Sequence, residues 1–351
     1  MSPLARDLLS EWRFDPGLML ALAACAGAYL AGVRRVRRWP ATSTAAFLAG
    51  LALLGVALES GLHAVGERLL SVHMVQHLVL LVAVPPLLIA GRPQALALRA
   101  LPPASRRALA RLLGGRTARV ATDPIVVLAL LSVVLVATHL PAFYDAAVRS
   151  PLLHDAEHVL YLTAALLFWI PVLALPPQPR ARSPLVRVLL VLASMPAMTA
   201  VGVALATAST VVYAPYADGA ARYGTDALAD QRLAGTIMWI GGSALMALLA
   251  VAIGWRAVLA EEQRQLVRER AGGASAGVVV RERGAGAEAR QVVRERAGGA
   301  GAGADVREGG AGVEARQLVR ERAGGAGAGA DGSRSREQPP AGSTPRTGGS
   351  A

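Results

Sequence analysis

Residues 71–93 read SVHMVQHLVLLVAVPPLLIAGRP, with no acidic or basic side chain before Arg92 apart from two histidines. An apolar stretch of about 20 residues is long enough to cross the ~30 Å hydrocarbon core of a membrane as a helix. The Pro85–Pro86 pair removes two backbone donors from this helix, which predicts a kink or a break. The segment therefore predicts a transmembrane helix that carries histidines at one end and an irregularity near the other.

Six further apolar blocks of similar length flank this one. Together they predict seven transmembrane helices, at roughly 17–33, 42–62, 71–90, 124–143, 155–175, 186–210 and 233–255. The composition agrees, because 54% of the residues are hydrophobic and only 17% are charged, against about 25% charged in soluble proteins. We therefore expect an all-α polytopic membrane protein embedded in the lipid bilayer.

Arginine supplies every basic side chain of the chain, and its distribution predicts the orientation. Fourteen arginines fall after the first, third and fifth blocks, whereas the N-terminus and the alternate connections hold six. Because cytoplasmic loops collect positive charge, we expect the N-terminus outside and the C-terminus in the cytoplasm. The formal charge of +12 is thus explained by topology, and we expect no nucleic-acid partner.

From residue 259 the sequence becomes rich in Gly, Ala and Arg. Units that begin QLVRER or QVVRER recur every 26 residues, from Gln265, Gln291 and Gln317. Each unit holds too few large apolar side chains to offset the entropy cost of folding. The sequence therefore predicts two parts, a seven-span membrane domain over 1–258 and a disordered cytoplasmic tail over 259–351, with short helical segments around the VRER units.

The six histidines are the candidate functional residues. All of them fall at span ends that the predicted orientation places on the outer side, and they are His63, His73, His77, His139, His154 and His158. Two pairs have a spacing of four residues, so the members of each pair share one helix face. Two imidazoles on adjacent turns can bind one metal ion, and imidazole suits copper, zinc and iron. The alternative is that interfacial histidines only hydrogen-bond neighbouring helices.

Acidic and sulfur-bearing side chains accompany the histidines. Glu59, Asp155 and Glu157 are expected to act as acceptors that fix the imidazole tautomer. Met195 and Met198, in the sequence MPAM, are candidate Cu(I) ligands, although methionine more often fills gaps in helix packing.

Two further segments are expected to have structural roles. Asp230 and Gln231 precede the last block, where Asp230 is a plausible helix N-cap. The segment YAPYA from Tyr213 is expected to anchor at the lipid headgroups, as interfacial aromatic residues do.

Four blocks resemble, in order, the motifs of one protein family. They are HMVQHL with VPPLLIAGRP within 73–93, THLPAFYD at 138–145, HDAEH at 154–158 and DQRLAGTIMW at 230–239. They are similar to the signature of the multi-pass cytochrome c oxidase assembly factors named CtaG, which are linked to caa3-type oxidases. The resemblance covers about residues 12–258, and the tail has no counterpart in it.

The resemblance implies a bacterial plasma-membrane protein that is needed to assemble a haem–copper oxidase, with the oxidase subunits as partners. It also implies a role in copper delivery or insertion. The family motifs fall on His73, Gln76, His77, His139, His154, Glu157, His158, Asp230 and Gln231. The resulting hypothesis is an assembly factor that holds copper at the outer face through the six histidines, with Met195, Met198, Glu59, Glu157, Asp230 and Gln231 as secondary ligands or supports.

Two other functions remain open at this point. Histidines from the third and fifth spans could bind a haem in a membrane redox protein, or the chain could be a copper transporter. An enzyme is not expected, since the sequence offers no GxSxG, no P-loop and no paired buried carboxylates. The single cysteine, Cys25, excludes an internal disulfide and a CxxC site.

Overall fold

The computed structural model describes residues 1–176 and 183–299, and every regular element within these residues is helical. The α-helices are α1 (Pro3–Ser10), α2 (Pro16–Arg35), α3 (Ala41–Glu59), α4 (Gly61–Gly66), α5 (Leu70–Leu78), α6 (Val84–Ala90), α7 (Pro93–Ala100), α8 (Pro103–Gly114), α9 (Arg116–Ala121), α10 (Pro124–Thr138), α11 (Pro141–Arg149), α12 (Pro151–Leu173), α13 (Pro184–Thr207), α14 (Ala217–Arg222), α15 (Ala227–Thr236) and α16 (Gly242–Gly299). Two π-helical turns, Val79–Ala83 and Ile237–Gly241, join α5 to α6 and α15 to α16. A 3-10 turn covers Ala214–Tyr216. The all-α prediction is confirmed.

Six continuous helices among the described residues are long and apolar enough to cross a membrane. A seventh span results if α10 and α11, which meet at an angle of 72°, are counted together. The continuous spans are Pro16–Arg35, Ala41–Glu59, Leu70–Ala100, Pro151–Leu173, Pro184–Thr207 and Ala227–Glu269. These positions correspond to the seven predicted blocks, and the protein is a multi-pass membrane protein.

Two spans end earlier than the sequence predicts, and both breaks lie next to a histidine. The second span was expected to reach residue 62, but α3 ends at Glu59 because Ser60 is extended, and Ser60 then caps α4. The fourth was expected to reach 143, but α10 ends at Thr138. Pro141 explains the second break, because the residue before a proline is disfavoured in the helical region.

The Pro85–Pro86 pair does not interrupt the third span. The π-helical turn Val79–Ala83 precedes it, and the helix then continues through α6. Pro85 has no N–H to offer to the carbonyl of Leu81, four residues earlier. Trp169 on α12 replaces that donor, with its indole Nε1 2.7 Å from the Leu81 oxygen. A buried side chain on a neighbouring helix thus satisfies the backbone group that proline leaves without a partner.

Asp230 was expected to cap the helix on which it lies, and this expectation is wrong. The N-cap of α15 is Asp226, whose side chain accepts from the amide of Ala229. The buried carboxylate of Asp230 instead accepts from the amide of Leu70 at 2.7 Å and from the amide and hydroxyl of Ser71. It therefore caps α5 from a different helix, which is the favourable place for a negative charge. This contact fixes the helix that carries His73 and His77.

Helices α13 and α15 approach each other through two glycines. A Cβ on Gly235 would lie 2.5 Å from the backbone of Ala206 and from the carbonyl of Gly202, and a Cβ on Gly202 would lie 2.8 Å from the carbonyl of Gly235. Small residues allow such close contact between membrane helices. The close approach holds Asp230, one turn earlier on α15, at the depth where it reaches α5.

The chain divides into two units, Met1–Arg268 and Glu269–Ala351. The sequence predicts a disordered tail from 259 with only short helical segments. In the structure α16 continues to Gly299, so residues 259–299 are helical. Ala, Arg, Glu and Gln in the repeat are strong helix formers, which accounts for the difference. The expected disorder of 300–351, the repeat from Gln317, and Arg180 and Arg182 lie outside the described residues.

We expect Gly235→Ala to destabilise the protein by about 1–3 kcal/mol, because the added methyl group overpacks a backbone contact. The matched control is Gly241→Ala, since nothing lies within 4 Å of a Cβ at Gly241. Thermal unfolding of both purified variants in detergent measures the difference. Equal melting temperatures for the two would contradict the proposed packing.

The predicted orientation places the histidine end of the bundle outside the cell. Asp218 is exposed at this end and Ser105 is exposed in the connection between the third and fourth spans, so cysteines at these positions report opposite sides. In a Cys25→Ala background, a membrane-impermeant maleimide added to intact cells is expected to label Asp218→Cys and not Ser105→Cys. The reverse pattern would invert the orientation.

Candidate metal centre

The structure brings all six histidines together at one end of the bundle. They come from four places, which are α4 (His63), α5 (His73 and His77), the α10–α11 junction (His139) and α12 (His154 and His158). Ring centroids are 4.1 Å apart for His73–His77 and 4.5 Å apart for His154–His158. Across helices they are 5.4 Å apart for His73–His154 and 6.1 Å apart for both His77–His158 and His77–His139. Because metal–nitrogen bonds are about 2 Å long, rings at these separations can reach a shared ion.

Three of these side chains form the tightest ligand set. His73, His154 and Glu157 each offer one nitrogen or oxygen atom, and these atoms all lie within 4.8 Å of one another. All three side chains are buried. His154 and Glu157 are three residues apart on α12 and share a face, while His73 faces them from α5. Glu157, which the sequence suggests as a supporting acceptor, thus lies among the candidate ligand atoms themselves.

Many polar atoms of this cluster are buried without a hydrogen-bond partner among the residues that the structure describes. They are both nitrogens of His73 and of His77, Nε2 of His139, His154 and His158, and Oε1 of Glu157. Buried polar atoms are nearly always paired, and leaving one unpaired costs about 1–3 kcal/mol. A bound cation would satisfy several of these atoms at once. The donor set of imidazole nitrogens and one carboxylate fits a transition-metal ion such as copper or zinc.

His139 is oriented by its neighbours so that one nitrogen stays available. Its Nδ1 lies 2.8 Å from the carbonyl of Leu135 and 3.2 Å from the hydroxyl of Tyr161. Since only an Nδ1–H can donate to the carbonyl, Nε2 keeps its lone pair, which is the arrangement that metal-binding histidines use. Tyr213 donates to the His139 carbonyl at 2.8 Å. Tyr213 is fully buried, so the expectation that it anchors at lipid headgroups is wrong.

Tyrosines pack against the histidine cluster, and sequence reasoning missed them. The Tyr161 ring lies 4.6 Å from that of His77, and the Tyr144 ring lies 5.7 Å from that of His73. Tyr144 also stacks on Tyr213 at 3.9 Å. One signal was available, because Tyr161 lies four residues after Glu157 and therefore on the same face of α12. For Tyr144 spacing gives no such signal, because the bend between α10 and α11 determines where it points.

His63 is held differently from the other histidines. Its Nδ1 lies 3.1 Å from the amide nitrogen of Gln76, which also donates to the carbonyl of Ala57 at 2.9 Å. Its Nε2 lies 3.8 Å from Oε1 of Glu67. Burial lowers the pKa of His63, and the nearby Glu67 carboxylate, which acts to raise it, does not offset that effect. His63 is therefore neutral near pH 7.

The acceptor expected beside His63 was Glu59, and the structure gives this position to Glu67. Glu59 is buried, and its Oε2 accepts from the amide of Asp15 at 2.8 Å. Its carbonyl accepts from the amide of Arg13 at 2.8 Å. The break at Ser60 separates Glu59 from α4, so the spacing of four residues does not place it beside His63. Glu59 instead holds the segment that leads into α2.

The remaining predicted side chains lie in structural positions. Met198 is buried in the apolar core, where a Cβ on Gly242 would lie 2.7 Å from its sulfur, and Met195 packs partly buried against the same core. Gln231 accepts from the amide of Val212 at 2.6 Å and so fixes the loop that follows α13. These contacts agree with packing and support roles, and metal binding by the methionines stays a prediction.

Comparisons with known proteins identify a matching family and several relatives. A family model described as cytochrome c oxidase caa3 assembly factor (Caa3_CtaG) matches residues 27–259. Uncharacterized proteins of Mycobacterium bovis and Mycobacterium tuberculosis are each 32% identical over 250 residues, which is 68% of this chain and 38% of each relative. A Mycobacterium leprae protein is 31% identical over 241 residues, covering 65% of this chain and 36% of the relative. The chain thus spans well under half the length of these curated relatives, and no solved structure matches it significantly.

The family match includes all six histidines, Glu157 and Asp230, and it extends over most of the membrane-spanning unit. The chain belongs to the Caa3_CtaG family, the cytochrome c oxidase caa3 assembly factors.

Proposed function

We propose that this assembly factor holds a copper ion at the histidine cluster and passes it to a haem–copper oxidase during assembly. The observation that carries the proposal is the set of ligand atoms from His73, His154 and Glu157, all buried and all within 4.8 Å of one another. The family supplies the client, an oxidase of the caa3 type. Copper is the cargo, because such an oxidase needs copper and imidazole binds it well.

The surrounding histidines suit a carrier that must release its ion. His77 lies 4.1 Å from His73, and His158 lies 4.5 Å from His154, measured between ring centroids. Each of the two histidine ligands therefore has a second imidazole beside it that can replace it during exchange. A closed four-ligand site would hold the ion more firmly, as structural zinc sites do. No catalytic step is needed for this role.

A haem site is less consistent with the same geometry. A haem held by histidines from two helices has these axial ligands on opposite sides of a flat macrocycle. Here the imidazoles of α5 and α12 pack directly against each other, with the rings of His73 and His154 nearly parallel at 5.4 Å and 28°. Tyr161 fills the space beside His77 at 4.6 Å. This packing favours a small ion over a porphyrin between the two helices.

The side of the membrane follows from the arginine distribution. With the N-terminus outside, the cluster lies at the extracytoplasmic end of the bundle. We propose that the protein resides in the bacterial plasma membrane and meets the oxidase subunits there. Copper would then be transferred without crossing the bilayer.

We expect Glu157→Gln and His154→Gln each to weaken copper affinity by at least about tenfold, since even supporting residues of metal sites have effects of this size. Equilibrium dialysis of the purified protein in detergent, against a competing chelator, measures the change. The control is Ser194→Ala, which changes a buried hydroxyl that donates to the Val191 carbonyl in the apolar core. Wild-type affinity in both cluster variants would contradict the assignment.

In cells, deletion of the gene is expected to abolish mature oxidase, and the wild-type chain is expected to restore it. The Glu157→Gln chain should restore little oxidase at trace copper and more when copper is added, because mass action compensates for a weaker site. Haem a absorbance and oxygen consumption of isolated membranes measure maturation. A loss that added copper never relieves would indicate a scaffold role without copper transfer.

A further inference from the structure

A cavity of about 470 Å³ lies beside the histidine cluster, between α3, α4 and α12. His154 and His158 line its inner part, and Leu54, Leu58 and Leu162 line its sides. His154 is also one of the three residues with clustered ligand atoms. The cavity therefore reaches the candidate metal site directly.

Both histidines of α12 present a buried, unpaired atom in this region. His154 is 7% exposed and His158 is 6% exposed, and Nε2 of each lacks a hydrogen-bond partner among the described residues. Unpaired imidazole nitrogens beside a cavity are favourable ligands for a cation. The cavity thus leads to groups that would bind such an ion.

The charges around the cavity are mostly negative. Four carboxylates line it, from Asp15, Glu59, Glu67 and Asp155, against one cationic side chain, Arg13. A cleft lined by one sign of charge beside low-dielectric walls concentrates ions of the opposite sign. The cavity is therefore suited to cations and unfavourable for anions.

Glu67 and Arg13 form an ion pair at this cavity. Both terminal nitrogens of the Arg13 guanidinium, Nη1 and Nη2, donate to the Glu67 carboxylate, Nη1 at 2.6 Å. The side chains are 54% and 31% exposed. Water and salt screen even a bidentate ion pair that is this exposed, so it can open and an arriving cation can take the place of Arg13.

His63 lies between this ion pair and the cluster. Its Nε2 is 3.8 Å from Glu67, and its ring centroid is 5.5 Å from that of His154. Gln76 holds the opposite nitrogen, which fixes the ring in this position. Glu67, His63 and His154 thus form a row of possible ligands from the surface to the metal site, each within a side-chain movement of the next.

We propose that this cavity is the cation entrance of the protein, and that Glu67, masked by Arg13, is the residue that receives the ion and selects its charge. The inference rests on the proposed function for the identity of the ion, copper. In this proposal Glu67, Arg13 and His63 act along the path by which the ion enters. The ligands that hold the ion at the end of that path are other residues.

The first test needs no metal. In a Cys25→Ala background, Leu58→Cys places a thiol in the cavity wall, and Val159→Cys serves as a second reporter if the first variant folds poorly. The rates at which this cysteine reacts with a cationic trimethylammonium methanethiosulfonate and with an anionic sulfonate methanethiosulfonate are compared. We expect the cationic reagent to react at least several-fold faster, Glu67→Gln to reduce that ratio several-fold, and Arg13→Gln to raise it.

The matched control is Glu11→Gln. Glu11 also pairs with two arginines at this end of the bundle, the part-buried Arg68 at 2.6 Å and the exposed Arg222 at 3.4 Å, but it is not among the residues that line the cavity. This variant is expected to leave the ratio unchanged. A ratio near one in the wild-type chain, or a ratio that Glu67→Gln does not alter, would overturn the entrance proposal whether or not the protein binds copper.

The second test uses Cu(II) alone. Glu67→Gln is expected to slow copper uptake several-fold in stopped-flow measurements while the final amount of bound copper stays the same. Uptake at the wild-type rate would count against Glu67 as the receiving residue. If the wild-type chain bound no copper at all, the proposed function would fail, and the thiol rates alone would decide the entrance.

Discussion

The carboxylate of Asp230 accepts hydrogen bonds from the first amides of α5, and the position of the histidine cluster depends on this contact. A helix N-terminus buried inside an apolar bundle has N–H groups without an intrahelical partner, so another group of the protein has to accept from them. Asp230 supplies the acceptor from α15, which Gly235 and Gly202 bring close to α13. The hydrogen bonds to Asp230 remove the cost of leaving the first amides of α5 unpaired. They also fix the depth of α5 in the bundle. His73 and His77 therefore face α12 at a defined height.

The same constraint explains other polar contacts of the bundle. Trp169 donates to the Leu81 carbonyl that Pro85 leaves free. Tyr213 donates to the carbonyl of His139, where the bend before Pro141 ends α10. In each case an irregularity of the backbone is satisfied by a side chain from a distant part of the chain. The histidine cluster is the exception, since both nitrogens of His73 and of His77 and Nε2 of His139, His154 and His158 are buried without a hydrogen-bond partner among the described residues. A bound ion at the proposed metal site would satisfy several of these atoms.

The sequence predicts part of the site well. Spacing of four residues places His73 with His77 and His154 with His158, because the helical period is local. Topology then places all six histidines at one end, and the structure brings them together there. The same spacing misleads for Glu59, because Ser60 ends the helix before His63. Glu67 lies four residues after His63, so spacing alone could have placed it beside that histidine. Its importance, however, depends on the cavity and on the ion pair with Arg13.

By itself the sequence determines the apolar spans, the histidine-bearing span ends and the family motifs, because each is a property of a short segment. Tertiary structure decides which atoms meet. The pairing of His73 with His154 and Glu157, the cap that Asp230 gives to α5 and the row from Glu67 to His63 all join different helices. These contacts depend on the rotation and depth of each helix in the bundle. Rotation and depth are set by the close packing at Gly202 and Gly235 and by the helix breaks at Ser60 and Pro141. Spacing along one chain carries no information about either quantity.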